Sequence, residues 1–516
     1  MNHLNGMLPF LGRRQNDDVS QIRADEIVLV VKLGKRAKNE PFSISRALLK
    51  EGHVHVRGRT RSGKTSLVLD PLACALMESY ELRWSDSSGI HSRTERDAIF
   101  VFDLAGDYAL YNSVRKCAEK CHRTFKYFSL ESQNSFCFDP FQSVRKDKLR
   151  AIRICNLLIE AMNMDHGLIY GGSYYTQRNL AGLLRVADRA VQRHQKGEFT
   201  GLADIAEYLD RHREKDEDQI RMTFQFLLHY PQLMPAENDP NVIDMAQAIA
   251  NREVIYFFCP TMGEATTARQ IAGLGLYNTV NAAMQLAAKR DPASREQPTP
   301  HCWLLVDEFQ EIAGKSFAAF LAQASKFGIS AILANQTTNQ LETNELSIAD
   351  IVRDNTLAKI YFTVTGKRDI EELQWFSGDD RETLNSRSSM PLQLSLGGER
   401  IGTTEMIVPK LRKDEILDTS ATFGQFFAIV DDGKGHREPI RVQSKHRFSI
   451  ETFRRLRNTP LRPVSHPVKE ETSRPPGNPV EMLWQRARKR EPDQSRKQRL
   501  DMLARLIKVK KKHPGL

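Results

Sequence analysis

The chain has 516 residues, 40% hydrophobic and 27% charged, the balance of a globular protein with room for about three domains. Lys and Arg exceed Asp and Glu by 11, but twelve Lys/Arg against four Asp/Glu lie between Glu481 and the C-terminus. The body is therefore near neutral, which excludes a uniformly basic nucleic-acid coat and leaves a basic tail on a globular machine. The seven cysteines are scattered; Cys117, Cys121 and His122 cluster, but no second pair at zinc-like spacing answers them, so buried thiols of a reducing cytosol are expected. No run approaches the ~18 apolar residues of a membrane-spanning helix, and the apolar patch Met7 to Leu11 is too short for a secretory signal.

In chain order, Glu26 to Leu33 reads as a strand of a small leading β element. His53 to Arg57 alternates like a strand, and a helix-like run covers Ser66 to Met77. Between them stands Gly58-Arg59-Thr60-Arg61-Ser62-Gly63-Lys64-Thr65, a complete G-x-x-x-x-G-K-[ST] phosphate loop in its required strand–loop–helix setting. Gly58 and Gly63 let the backbone N–H groups turn inward on an anion. Lys64 supplies a charge for the β and γ phosphates, Thr65 a hydroxyl for Mg²⁺, and the helix opening at Ser66 its positive end. The expected ligand is ATP with Mg²⁺, held by residues 58–66.

A polar loop is expected from Trp84 to Arg96, then a strand at Ala98–Asp103, a helix at Tyr108–Cys121 and a strand at Thr124–Leu130. Strands alternating with helices imply a mainly parallel sheet with crossover helices. From Val144 to Asn251 apolar residues recur at helical spacing, as at Ile152, Leu157, Leu158 and Ala161, so an inserted all-helical domain is expected. Strands resume at Glu253–Cys259, Cys302–Val306, Ala331–Ala334 and Ala358–Val364, with a long helix over Thr267–Lys289.

The strand Trp303-Leu-Leu-Val ends in Asp307-Glu308. In a phosphate-loop ATPase the first acid holds Mg²⁺ and the second takes the proton of the attacking water; the plainer alternative is that both cap the next helix. Ala331 to Ala334 leads into Asn335-Gln336, where an amide at a strand end suits a γ-phosphate sensor. Lys64, Glu308 and Gln336 are the expected catalytic residues, with Thr65 and Asp307 on the metal.

The order of the phosphate loop, Asp103-Leu-Ala-Gly106-Asp107, Phe138-Asp-Pro-Phe141, a helical insertion, Leu305-Val-Asp-Glu-Phe309 and Ala334-Asn-Gln336 resembles type IV secretion coupling proteins of the TraG/TraD class. These belong to the HerA/FtsK branch of RecA-like motor ATPases, and the resemblance spans roughly residues 40 to 435. It implies an α/β RecA-like nucleotide-binding domain in two parts, 41–145 and 251–450. The all-α insertion takes 146–250, the β element 1–40, and a Pro-containing linker with the basic tail 451–516. It further implies a homohexameric ATPase that moves DNA, single-stranded and with a bound relaxase, to a secretion channel. Cytoplasmic placement, peripheral on the inner membrane, follows, since the family's N-terminal anchor is not found here. The alternative is a HerA-like or AAA-like ATPase acting on duplex ends or protein substrates.

The chain departs from the family at Arg61, where Gly is usual, and at Ala105, where Lys is common. An arginine finger is expected after the acidic strand, where Lys326 stands; Arg353 competes for the role. In the tail, Leu503, Leu506 and Ile507 can share one helical face opposite Lys and Arg, suiting DNA phosphates, anionic lipid or an acidic partner, or the tail is simply solvated.

Overall fold

The computed structural model describes residues 30–35, 40–86, 89–132, 134–142, 150–162, 172–198, 201–211, 218–237, 239–289, 300–314, 317, 320–342, 347–388, 400–431 and 438–464. The basic tail, Leu503 to Ile507 included, lies outside them. The chain enters on β1 (Val30–Lys35) and β2 (Pro41–Ser45), and Ser45 caps α1 (Arg46–Glu51) through its hydroxyl. Strand β3 (His53–Arg57) feeds the phosphate loop, and α2 (Asp70–Leu76) follows it. The polar stretch expected as a loop is instead a hairpin of β4 (Tyr80–Asp86) and β5 (Gly89–Glu95), paired from Tyr80↔Glu95 to Asp86↔Gly89. Backbone pairing in a two-stranded ribbon needs no apolar face, so it leaves little pattern to read.

Next come β6 (Ala98–Asp103), α3 (Tyr108–Lys120) and β7 (Phe125–Ser129). Asp107 starts α3 by accepting the Ala109 N–H at 2.8 Å, the usual work of an N-cap aspartate. Helices then follow in the expected region: α4 (Ala151–Ala161), α5 (Gly172–Gln195), α6 (Leu202–Arg211), α7 (Asp218–Leu227) and α8 (Met245–Ala250). Strand β8 (Val254–Phe258) and α9 (Ala265–Ala288) lead to β9 (Cys302–Asp307) and β10 (Ile329–Asn335). The chain continues through α10 (Ile348–Asn355), β11 (Thr356–Phe362), α11 (Lys367–Ser377), β12 (Asp379–Ser388) and β13 (Arg400–Pro409). It closes with α12 (Lys413–Ala421), β14 (Gln425–Val430), β15 (Ile440–Gln443) and α13 (Ile450–Arg457).

Eleven strands form one sheet in the order β2-β1-β15-β14-β11-β3-β10-β9-β6-β8-β7. The seven from β11 to β7 run parallel, and β14, β15, β1 and β2 extend the sheet antiparallel. The leading β element is thus an edge of the main sheet. Alternate residues of β6 enter opposite cores: Phe100 and Phe102 face one, Ile99 and Val101 the other. Burial on both faces accounts for the uninterrupted apolar runs that mark the parallel strands.

The helices of the insertion share the first core. Ile154, Leu158, Leu183, Val186, Ile205 and Phe224 are buried in one cluster with Phe102, Phe257 and Leu304 of the sheet. Close packing of α4 on α9 depends on Gly273, where a Cβ would fall 2.6 Å from the Ala161 carbonyl oxygen. The first described residues of the expected linker are tied down. Asn112 Nδ2 donates to the carbonyls of Leu456 and Thr459, Tyr127 Oη to that of Arg462, and Val464 N to that of Asn134.

Candidate nucleotide site

All the residues singled out for nucleotide chemistry sit at the carboxyl ends of parallel strands, the edge where open α/β sheets bind ligands. Gly58 and Gly63 have φ of 156° and 102°, a backbone that side chains rarely adopt. A Cβ on Gly58 would also press within 2.5 Å of Phe362 Cβ. Arg61 has φ 65°, so an arginine occupies a left-handed position that glycine fills without strain. Arg59, Thr60 and Arg61 are exposed on the loop's rim, whereas Ser62 and Lys64 are buried. The chain after Lys64 opens as a π-helical turn, Thr65–Leu69, before α2 begins. The helix-like run expected over Ser66–Met77 is helical, with its first turn widened, a feature frequent at functional sites.

Lys64 Nζ donates to the Gly58 carbonyl at 2.6 Å. Burial pulls its pKa down, while Glu308 and Asp307 hold it up. Thr65 Oγ1 donates to Asp307 Oδ2 at 2.8 Å, and Asp307 Oδ1 accepts the Glu308 N–H at 3.0 Å. Asp307 is 2% exposed; burial first and the Glu308 charge second push it up to about 6. Neither acid caps a regular helix: Glu308 has φ 53° and precedes a short 3-10 turn, Phe309–Glu311. Such a left-handed conformation stores strain that the neighbouring structure must hold. Gln336 Nε2 donates to Glu308 Oε2 at 3.0 Å, and Gln310 Nε2 to the same oxygen at 2.5 Å. Lys64, Thr65, Asp307, Glu308 and Gln336 are thus joined by contacts or charge within one site.

Two further residues, Asp103 and Asn335, belong here. Asp103 is the register partner of Asp307 across β6 and β9. Fully buried, it is driven up to about 7 by desolvation, then by Asp307 and Asp107. Its carboxylate accepts from Tyr256 Oη at 2.8 Å and from the Gly106 and Asp107 N–H groups. Asn335 is fully buried: its Nδ2 donates to the Thr337 carbonyl and its Oδ1 accepts from His55 Nε2 at 2.7 Å. An acid closing a buried strand beside the Asp307 strand was the available signal for Asp103; no local pattern pairs Asn335 with His55, 280 residues away. Of the two finger candidates, Arg353 is engaged on its own helix by Asp350 at 2.7 Å and Asp354 at 3.0 Å. Lys326 is exposed and forms no ion pair among the described residues.

This donor set fits a nucleoside triphosphate with Mg²⁺. The Thr65 hydroxyl donates to the Asp307 carboxylate, the buried Ser62 Oγ has no partner among the described residues, and the Lys64 ammonium is held at the loop by the Gly58 and Arg59 carbonyls.

Residues 187–380 match the family model described as the type IV secretion-system coupling protein DNA-binding domain. The bacterial conjugative coupling protein TrwB, lacking its first 70 residues, superposes with TM-score 0.50 at 13% identity, over 79% of this chain and 88% of that one. TrwB in complex with ADP and Mg²⁺ gives 0.50 at 14% identity, over 79% and 87%. TrwB with the non-hydrolysable ATP analogue ADPNP gives 0.51 at 14%, over 81% and 91%. No curated protein sequence matches the chain. The likeness is one of fold: a RecA-like, mainly parallel α/β sheet with helices inserted between its strands. Over residues 187–380 the chain is similar to type IV secretion-system coupling proteins. Among the described residues, no helix is long and apolar enough to cross a membrane.

Proposed function

We propose that this chain is an ATP-hydrolysing motor that moves DNA, or a nucleoprotein, toward a type IV transfer channel. The observation that carries the reading is the joined set Lys64–Thr65–Asp307–Glu308–Gln336 at the carboxyl edge of the sheet. Lys64 and the backbone of residues 58–66 bind the phosphates, with the Ser62 hydroxyl free to join them. Thr65 and Asp307 hold Mg²⁺, which when bound neutralises phosphate charge. Glu308 accepts the proton of the attacking water, and Gln336 fixes its carboxylate while sensing the γ-phosphate. The coupling-protein domain match and the TrwB-like fold support DNA as the cargo and conjugative transfer as the setting. Six copies in a ring, Lys326 or Arg353 reaching a neighbour's site, a single-stranded substrate with its relaxase, and a place on the cytoplasmic face of the inner membrane complete the proposal.

Glu308→Gln tests it. The amide keeps shape and removes the base, so ATP binding should persist, turnover should fall by a factor on the order of 10²–10⁴, and mass photometry with ATP should show a ring. Wild-type turnover should rise with DNA and not with RNA. Undiminished turnover in the variant would move the base elsewhere; turnover indifferent to DNA would point to the HerA-like or AAA-like alternative.

A further inference from the structure

Behind the phosphate loop, α2 packs on α3 and brings two thiols together under one guanidinium. Arg447 Nη2 donates to Cys117 Sγ at 3.3 Å, and Arg447 Nη1 lies 3.7 Å from Asp70 Oδ2. Cys74 Sγ donates to Asp70 Oδ1 at 3.8 Å, so the Asp70 carboxylate and the Arg447 guanidinium link the two thiols in one cluster. Cys74 is buried and Cys117 half-buried. None of these residues has a part in the nucleotide chemistry above.

We infer that Cys117 is a peroxide-oxidisable thiolate and Cys74 its resolving partner, so that a hydroperoxide staples α2 to α3 by a disulfide. The geometry distributes the roles. The half-buried sulfur that accepts from a guanidinium is the nucleophile; the buried sulfur, whose proton is held by Asp70, keeps that proton until a partner is oxidised. Contact with Cys74, then Arg447, draws the Cys117 thiol down to about 7 against burial and the Asp70 charge, while Cys74 is driven strongly up. In the first step the Cys117 thiolate attacks one oxygen of the hydroperoxide. The O–O bond breaks, hydroxide or alkoxide leaves, and Cys117 becomes a sulfenic acid. In the second, Cys74 sulfur attacks Cys117 sulfur and the S–O bond breaks. The departing hydroxide takes the Cys74 proton as water. The two sulfurs together lose two electrons, and those two electrons reduce the peroxide O–O bond.

The test uses the full chain, treated with hydrogen peroxide, blocked with iodoacetamide and mapped by mass spectrometry without reductant. A Cys74–Cys117 cross-linked peptide is expected, lighter by two hydrogens and released by dithiothreitol, with Cys155, Cys259 and Cys302 still reduced. In Cys74→Ala, dimedone should trap sulfenic acid at Cys117 instead. Arg447→Gln should slow oxidation of Cys117 about tenfold at neutral pH, the thiolate fraction lost being partly offset by greater nucleophilicity. Should the variants not fold, alkylation of the wild-type chain across pH still decides. Cys117 should react with a midpoint near neutrality and ahead of Cys121. Absence of the linkage, or Cys121 reacting first, overturns the inference.

Discussion

Asp307→Asn should stabilise the nucleotide-free protein and at the same time abolish its response to Mg²⁺. In the folded chain Asp307 is raised from 3.8 to about 6, roughly two tenfold steps, so keeping it ionised at neutral pH costs about 3 kcal/mol. Asparagine preserves both hydrogen bonds. Its carbonyl oxygen can accept the Glu308 N–H, and the Thr65 hydroxyl can turn to accept from the amide, replacing the present donation to Asp307. The sign follows from linkage. A carboxyl raised on folding binds more protons in the native than in the unfolded state between pH 4 and 6, so its contribution is favourable on the acid side and lost as pH rises through that window. At pH 7.5 the variant should therefore unfold at higher denaturant, by up to about 3 kcal/mol, and the advantage should vanish near pH 4. With MgATP the order should reverse at pH 7.5, because only the wild type gains a metal ligand. Urea titrations of both proteins at several pH values, with and without MgATP, supply the comparison. A stability difference that stays constant with pH, or a variant that Mg²⁺ stabilises as well as wild type, would refute the reasoning.

Three further outcomes follow from other parts of the chain. Arg57→Met strips the cation from a buried web in which Arg57 meets Glu372 at 2.6 Å and Asp369 at 3.1 Å; chemical denaturation should show a loss of about 3–5 kcal/mol, and a loss under about 1 kcal/mol would mean that water replaces the arginine. Gly273→Ala places a methyl against the Ala161 carbonyl, so α4 and α9 must part and the melting temperature should fall, outweighing the ~1 kcal/mol gained in helix propensity. Removing residues 481–516 takes away twelve Lys/Arg and four Asp/Glu and none of the site. Basal ATPase should persist while DNA or anionic-vesicle binding weakens and its salt dependence flattens; unchanged slopes for both ligands would mark the tail as solvated or as a protein-binding segment.

The fold was legible wherever burial on both faces produces unbroken apolar runs: β6, β8, β9 and β10 all stood out in the sequence. Of the antiparallel extension only β1 was read, within Glu26 to Leu33; β2, β14, β15 and the pairing that joins all four to the main sheet were not, because edge pairing is long-range and depends little on local composition. That Lys64, Thr65 and Asp307 would meet was legible from residue type and spacing together, and the structure joins Thr65 to Asp307 and sets Lys64 at the same loop. Asp103 was noticed as part of a family motif, but its place beside Asp307 shows only once β6 lies beside β9 in register. Gln310, which shares Glu308 Oε2 with Gln336, becomes visible only through the left-handed turn at Glu308.

Strand β3 shows how sequence pattern and physical role diverge. His53-Val54-His55-Val56-Arg57 alternates polar and apolar residues, the signature of a half-solvated strand, yet all five are buried. Its polar face meets fixed partners instead of water. His53 donates from Nε2 to the Leu321 carbonyl and accepts the Ala331 N–H on Nδ1, spending both ring nitrogens in the neutral form that burial favours. His55 holds Asn335, the residue before Gln336. Arg57, the residue before Gly58, donates to Thr338, Tyr361 and Glu372. A slip of β3 by one residue would bury the valines against these acceptors and leave the amide, hydroxyl and carboxylates unpaired. Unpaired polar groups in a low-dielectric interior are costly, so the polar face sets the register that apolar packing alone leaves loosely specified. Register in turn sets function: it fixes Arg57 opposite Asn335, and hence the phosphate loop opposite the amide that touches Glu308.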